Sequence, residues 1–557
     1  AMGCDYRCAV QSARVGQPEV KLGIIPGAGG TQRLPRLAGV PAALETIVTG
    51  KPVAAAKARE YGIIDEIVDG DLLEGAIEYA GRLLDEGAPQ RKTRDMEVDT
   101  SSLPEGFFDD FRNTIARKTR GYHAPEACIQ AVEASIELPF TEGMRRETEL
   151  FTECMEHPQA TALQYVFFSE RLASKIPDIP KGTPLRQIAR VGIVGAGTMG
   201  GGISMAFANA GIPVNLVEAG QEQLERGLET IRKNYSRSVK SGRFTEEQVE
   251  RLLRLIKGSL DFNELADVDL VIEAVFENLE LKKEIFRTLD SICKRGAILA
   301  TNTSTLDVDE IAAVTSRPED VIGLHFFSPA NIMRLLEIVR GAKTAEEVLA
   351  TCLEMSRRIR KVGVVSGVCD GFIGNRMLAG YIREASMLLL EGASTSRVDE
   401  AIFDFGFPMG PFAMFDLAGL DVGYRVRRER GIEPGSDMFS AAADRLCDLG
   451  RYGQKTGAGY YRYGEGSRTP IPDPEVDSLI IEIAREFGVE RREFDDEKIV
   501  QRCIYPLVNE AARILEEGIA LRPSDIDMVW INGYGFPPYR GGPLFHADRV
   551  GLKKVYE

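Results

Sequence analysis

The chain has 557 residues, of which 44% are hydrophobic and 27% charged, and a formal net charge of −16. Its length exceeds a single hydrophobic core and implies about two to four domains, while the acidic balance speaks against nucleic acid or an anionic membrane, both of which need a basic face. Nine cysteines lack C-x-x-C pairing, four histidines lack metal-ligand spacing, and no apolar run reaches the length of a membrane span. These features predict a reducing, intracellular setting with no metal and no membrane insertion.

Residues 1–172 are expected to form a first unit. It opens on AMGCDYRCAV, which lacks an initiator methionine and reads like the middle of a folded domain, so a missing segment before Ala1 is expected. Between Gly16 and Leu34 five glycines and two prolines predict a tightly turned loop entering a helix, with Glu19 inside it. On residues alone Glu19 has two readings, a solvated loop acid and a general acid held among apolar neighbours. From about Leu103 apolar residues recur every three and four positions, as an amphipathic helical bundle requires. Three prolines and a glycine within residues 175–184 then mark a linker, taken as 173–187.

The next segment, 188–365, carries the densest signal. An apolar strand (Val191, Gly192, Ile193, Val194) runs into Gly195-Ala196-Gly197-Thr198-Met199-Gly200, then an Ala-rich helix, then Val214–Val217 and Glu218. That order is a dinucleotide fingerprint. Gly195 allows the turn, Gly197 admits the pyrophosphate, Gly200 lets helix pack on strand, and the helix N-terminus, with Thr198 and Met199, receives the phosphates. A carboxylate at Glu218 accepts both ribose hydroxyls and repels a 2′-phosphate, which favours NAD over NADP.

Two helices are predicted after Glu218, Glu222–Lys240 and Thr245–Lys257, as either a solvated hairpin or a lid over a bulky substrate. A strand is expected over 268–275, with Glu277 and Lys282 beyond its end. Further strands end in Asn302-Thr303-Ser304-Thr305 and in His325-Phe326-Phe327-Ser328-Pro329. Glu337 sits inside the strand-like run Leu335–Val339, and a buried carboxylate costs several kcal/mol unless paired. Imidazole is its natural partner, so His325, held in one tautomer by Glu337, is the predicted proton-transfer group. A lone histidine is otherwise more often a satisfied core residue.

From Gly371 on the chain is predicted to be helical. Asn375-Arg376, Glu384 and Glu391-Gly392 recur 126 positions later as Gln501-Arg502, Glu510 and Glu517-Gly518, which predicts two related helical domains, 366–463 and 475–557. The first, with Asn375, is expected to face the nucleotide domain, and the copy with Gln501 to be structural. The sequence stops at Glu557 within an expected helix, so a cut is expected there as well.

Two resemblances rest on these residues. AMGCDYR, GQPEVKLGIIPGAGGTQRLPRL and TGKPVAAAKAREYGIIDEIV resemble the enoyl-CoA hydratase/isomerase (crotonase) family, in which two glutamates handle water and proton. Glu19 matches the second, while the first and the oxyanion-hole glycine would precede Ala1, so hydratase activity is not expected of this chain. GAGTMG, ATNTST, HFFSPANIMRLLEIV and DGFIGNRML resemble the L-3-hydroxyacyl-CoA dehydrogenase family. Together they resemble the multifunctional fatty acid β-oxidation enzymes of the peroxisomal bifunctional or bacterial type.

The resemblance implies a partial crotonase-fold domain, a Rossmann-type NAD-binding domain and two duplicated all-helical domains, α/β plus α in class. It implies acyl-CoA substrates, a thiolase partner or a monomer, and a peroxisomal or bacterial cytoplasmic location. It assigns catalysis to His325, Glu337, Ser304 and Asn375, with Glu19 as a hydratase remnant. It adds cofactor contacts at Glu277, Lys282, Ser304 and Lys455. Simpler members have asparagine where this chain has Ser328, whose shorter hydroxyl makes that contact the least secure. Two other functions fit the sequence: a silent NAD-binding structural or sensor protein, and a dehydrogenase of free hydroxy acids.

Overall fold

Short apolar runs without polar alternation are what a parallel sheet covered on both faces demands, and this chain supplies them in series. The computed structural model, which describes residues 1–429 and 431–557, gathers them into an eight-stranded sheet. The strands are β1 (Val191–Val194), β2 (Val214–Val217), β3 (Ile256–Ser259), β4 (Leu270–Glu273), β5 (Ile298–Thr301), β6 (Val321–Phe326), β7 (Leu335–Val339) and β8 (Val362–Ser366). Their spatial order is β3-β2-β1-β4-β5-β6-β7-β8. β6 and β7 pair antiparallel and the other neighbours parallel.

Side chains alternate across the sheet, so Val191 and Ile193 of β1 enter one apolar core with Phe207 and Leu216, and Val194 enters the other with Phe286 and Leu299. Winding reverses between β1 and β4, and the carboxyl ends of those strands open the crevice in which ligands of such sheets bind.

The two helices after Glu218 form, as α2 (Gln221–Lys240) and α3 (Glu246–Arg254), following α1 (Thr198–Asn209). The second is shorter than the sequence predicts. Ile256–Ser259 leaves the helix to pair with β2, because the edge of β2 otherwise exposes unpaired backbone groups. A capping box between Thr245 and Gln248 starts α3, and Leu224, Ile231, Tyr235 and Val249 of the pair are buried in the core. The hairpin thus covers the sheet, and the Gln223, Gly227 and Thr230 face of α2 also walls a cavity at the glycine turn.

The chain makes two compact units, Ala1–Phe168 with Pro538–Gly541, and Ser169–Pro537 with Gly542–Glu557. In the first, helices Gly30–Ala38, Val40–Thr49, Ala124–Glu137 and Phe140–Glu156 enclose a core that includes Ile25, Leu34, Leu44, Ile47, Val132 and Leu150. The turned loop before Gly30 is anchored by Glu147, whose buried carboxylate accepts from Gly29 N at 2.6 Å, Thr31 N at 2.9 Å and Thr31 Oγ1 at 2.6 Å. Glu19 lies in that loop, half-buried, and its Oε2 is buried without a hydrogen-bond partner.

The proline-rich run expected as a linker is tied to the second unit. Ile176 is buried in the sheet core, Asp178 pairs with Arg340 at 2.5 Å, and Arg522 donates to the Lys175 carbonyl at 3.0 Å. Prolines there stiffen a strap, because apolar anchors fix it at intervals.

Beyond β8 the second unit is helical. Helix α4 (Gly374–Leu390) packs against α5 (Asp496–Glu516). The residues related by the 126-residue shift meet across this pair: Arg376 bonds Glu510 at 2.6 Å and Glu517 at 2.5 Å, and Arg502 bonds Glu384 at 2.6 Å and Glu391 at 3.1 Å. Gln501, the counterpart of Asn375, donates to Glu497 at 2.9 Å. Among the described residues no helix is long and apolar enough to cross a membrane, and no group of three His, Cys, Asp or Glu side chains gathers as a metal site.

Candidate active site

The glycine turn after β1 is built as its three glycines require. Gly195 has φ of +102°, and a Cβ on it would stand 2.7 Å from the Ala274 carbonyl oxygen, so only glycine serves. A Cβ on Gly200 would stand 1.8 Å from the Gly195 carbonyl oxygen, which is how closely α1 packs on the turn, whereas one on Gly197 would meet nothing within 4 Å. That open side faces a cavity of about 720 Å³ whose lining includes Gly195, Gly197, Thr198, Met199 and Glu218. No side chain caps α1, leaving its first N–H groups to an anion. At the end of β2, Glu218 accepts from Ala196 N and Ala219 N, both at 2.8 Å, which fixes the carboxylate on the cavity wall. An uncapped helix end, a cradle that a Cβ would fill and a carboxylate fixed beside it fit a dinucleotide with a free ribose diol.

His325 stands near the carboxyl end of β6, directly opposite Glu337 on β7. Its Nδ1 lies 2.7 Å from Glu337 Oε2, and the residues are 6% and 0% exposed. Glu337 is held on its other oxygen too: Oε1 accepts from Ile373 N at 3.2 Å and Gly374 N at 3.0 Å, at the start of α4. The two backbone donors at the start of α4 fix the Glu337 side chain against the imidazole. With Glu337 Oε2 as the acceptor, Nδ1 is the donor end of the ring and Nε2 its acceptor end. The rings of Phe327 and Phe372 lie 4.4 and 5.8 Å from that of His325. After β6 the chain supplies Pro329 and Asn331 to the wall of the glycine-turn cavity, so imidazole and turn share one edge of the sheet.

Other predicted residues are engaged elsewhere. Lys282 is not on the cavity wall; it is 1% exposed and ion-paired with Glu273 at 2.7 Å and Glu277 at 3.4 Å, because an ammonium buried that deeply must be neutralised. Glu277 accepts from Thr303 Oγ1 at 2.7 Å, and from Ser304 through its N–H at 2.7 Å and its hydroxyl at 3.1 Å. Burial alone raises the Glu277 carboxyl, but Lys282 and these hydrogen bonds outweigh it and hold it below its ordinary range. Ser304 thus points its hydroxyl at Glu277.

Ser328 is exposed and outside the cavity lining. Lys455 pairs with Asp421 in the helical region and is likewise not on the cavity wall. Asn375 is half-buried at the first turn of α4, its Oδ1 accepting from the Tyr534 hydroxyl at 2.8 Å. Sequence reasoning missed Ile373 N, Gly374 N and Tyr534. The run DGFIGNR carried a signal for the first two, since glycine-flanked residues opening a helix offer free N–H groups.

A doubly wound sheet with a dinucleotide cradle at its switch point and a buried His–Glu pair at the same edge defines an NAD-dependent dehydrogenase. The chain matches the family "3-hydroxyacyl-CoA dehydrogenase, NAD binding domain" over residues 190–369 and "3-hydroxyacyl-CoA dehydrogenase, C-terminal domain" over 371–463 and 499–557; residues 1–101 match "Enoyl-CoA hydratase/isomerase". It is 44% identical to the peroxisomal bifunctional enzyme of Danio rerio over 578 aligned residues and 43% to that of Homo sapiens over 579, the alignments covering all of this chain and 79% of each relative. The dehydrogenase part of multifunctional enzyme 1 from C. elegans superposes with a TM-score of 0.52 at 32% identity, over 68% of this chain and 87% of that one. The chain belongs to the bifunctional β-oxidation enzyme family, with its hydratase/isomerase and 3-hydroxyacyl-CoA dehydrogenase segments in that order.

Proposed function

We propose that this chain oxidises (3S)-3-hydroxyacyl-CoA to 3-ketoacyl-CoA with NAD, as a step of fatty acid β-oxidation. The buried pair His325–Glu337 at 2.7 Å carries the reading. NAD, when bound, supplies the hydride acceptor. His325 Nε2 takes the 3-hydroxyl proton and returns it in the reverse direction, which suits a group that ordinarily titrates close to neutrality. Glu337 fixes the tautomer and stabilises the imidazolium that forms. Asn375 positions the thioester end. Ser304 reaches the substrate oxygen only by leaving Glu277, so we assign it the weaker role of shaping the strand end.

Gly195, Gly197, Thr198, Met199 and Glu218 hold the dinucleotide, with Gly200 setting the helix against the turn. Glu277 and Lys282 support the cradle from behind through their ion pair. Contacts from Ser328 and Lys455 to the cofactor require movement of those segments. Glu19 stands as the hydratase/isomerase glutamate of the first segment, a crotonase portion taken as 1–172. The strap 173–187, the nucleotide domain 188–365 and the helical domains 366–463 and 475–557 complete the proposed division, and the reciprocal ion pairs of Arg376 and Arg502 support a duplication of the last two. A peroxisomal location follows the names of the relatives; the bacterial alternative finds no support among them. The 3-ketoacyl-CoA product is the substrate class of a thiolase, the proposed partner if the chain does not act alone.

Free hydroxy acids are the competing substrates. Comparing 3-hydroxybutyryl-CoA with 3-hydroxybutyrate in an NADH absorbance assay should favour the ester by roughly 100-fold or more in kcat/KM, since binding energy from the remote CoA portion assists the chemical step. Equal turnover removes CoA from the reading, and no turnover of either leaves a silent nucleotide-binding protein.

A further inference from the structure

The geometry points to Tyr534, near the end of the chain, as a positioning residue of the dehydrogenase site: its phenol donates to Asn375 Oδ1 at 2.8 Å and so fixes which end of that amide meets the acyl thioester. This rests on the function proposed above. Tyr534 follows helix α6 (Pro523–Gly533) and is separated from Asn375 by 159 residues, in the helical segment that the sequence marks as a merely structural copy.

The contact is built from both sides. Gly374 leaves its side of α4 bare for the tyrosine, since a Cβ there would stand 2.4 Å from the Tyr534 Cε2 and hydroxyl. That same Gly374 donates its N–H to Glu337. The Tyr534 ring meets Phe327 edge-on, centroids 5.5 Å apart, and Phe327 packs against His325. Gly533 is equally constrained, because a Cβ on it would stand 2.5 Å from Leu335 Cδ2. Behind the ring Trp530 stacks at 4.7 Å, and its indole N–H donates to Met377 Sδ on α4 at 3.2 Å. Tyr534 therefore touches the Asn375 amide, the turn that holds Glu337 and the ring beside His325, all at once.

The hydroxyl matters chemically because an amide has a donor end and an acceptor end. With Oδ1 accepting from Tyr534, Nδ2 is the free end and offers N–H groups to an acyl carbonyl oxygen. Phe327, Asn375 and Tyr534 are all only partly buried, so they border open space. Without the phenol O–H the amide turns freely and the donor is no longer preset.

The test uses the full chain with acetoacetyl-CoA and NADH, in four forms: wild type, Tyr534→Phe, Asn375→Ala and the double variant. Tyr534→Phe keeps the ring on Gly374, so Tm and NADH affinity should match wild type while kcat/KM for acetoacetyl-CoA falls roughly tenfold, the scale of one lost hydrogen bond. In the Asn375→Ala background Tyr534→Phe should change nothing further. An active wild type with an unmoved Tyr534→Phe, or losses that multiply in the double variant, overturns the inference alone. An inactive wild type overturns the function and this inference with it.

Discussion

His325→Ala is expected to lower turnover of acetoacetyl-CoA with NADH by about 10²–10⁴-fold, the range for a lost general acid–base group, while NADH binds as it does to wild type. Both halves follow from placement. The imidazole stands on β6 opposite Glu337 and does not line the cavity at the glycine turn, so its removal takes away the proton carrier without touching the cradle. The truncation strands Glu337, but that carboxylate keeps its two backbone donors at Ile373 and Gly374, which limits the loss of stability. Fluorescence titration with NADH beside steady-state rates checks both. Loss of NADH binding, with turnover falling only in proportion, would reassign His325 to the cofactor site.

Glu337→Gln should be nearly as damaging, by about 10²–10⁴-fold in kcat. The glutamine carbonyl can still accept from Ile373 N and Gly374 N, which turns its NH₂ toward His325. Nδ1 must then accept, and the proton moves to Nε2, the atom required as base. The matching asparagine replacement in the serine-protease triad costs about 10⁴-fold by this route. Glutamine is the informative change, because alanine leaves three buried donors unpaired at about 1–3 kcal/mol each and tests folding more than catalysis. A variant with wild-type kcat shows that the tautomer is set without Glu337.

The nucleotide half of the fold was readable because strands buried on both faces are unbroken apolar runs, and Glu337 stood out as an acid inside one. His325 and Glu337 could be paired from sequence because a buried acid needs a partner; that antiparallel neighbouring strands set them face to face is seen only in the structure. Other features were hidden by forces that no local pattern carries. Helix α3 ends early because an open sheet edge draws Ile256 into pairing. Residues 175–184 read as a linker, although Ile176 and Asp178 bind them down. Ser304 follows its strand end and Lys282 lies on the helix Leu279–Ile292 beyond its own strand, yet Glu273 and Glu277 claim their polar atoms. Lys455 is claimed by Asp421. Tyr534 lies too far along the chain from Asn375 for any spacing rule to link them. Spacing places a backbone position at the crevice; it does not say which neighbouring charge will claim the side chain.

In the proposed mechanism His325, held by Glu337, exchanges a proton with the substrate's C3 oxygen at the mouth of the glycine turn. A crystal structure of the full chain with NAD and acetoacetyl-CoA should place His325 Nε2 within about 3 Å of the 3-oxygen, hydrogen-bond reach for a general acid–base, with Nδ1 still on Glu337. An ordered substrate whose 3-oxygen bonds another group, with the imidazole turned away, would contradict it.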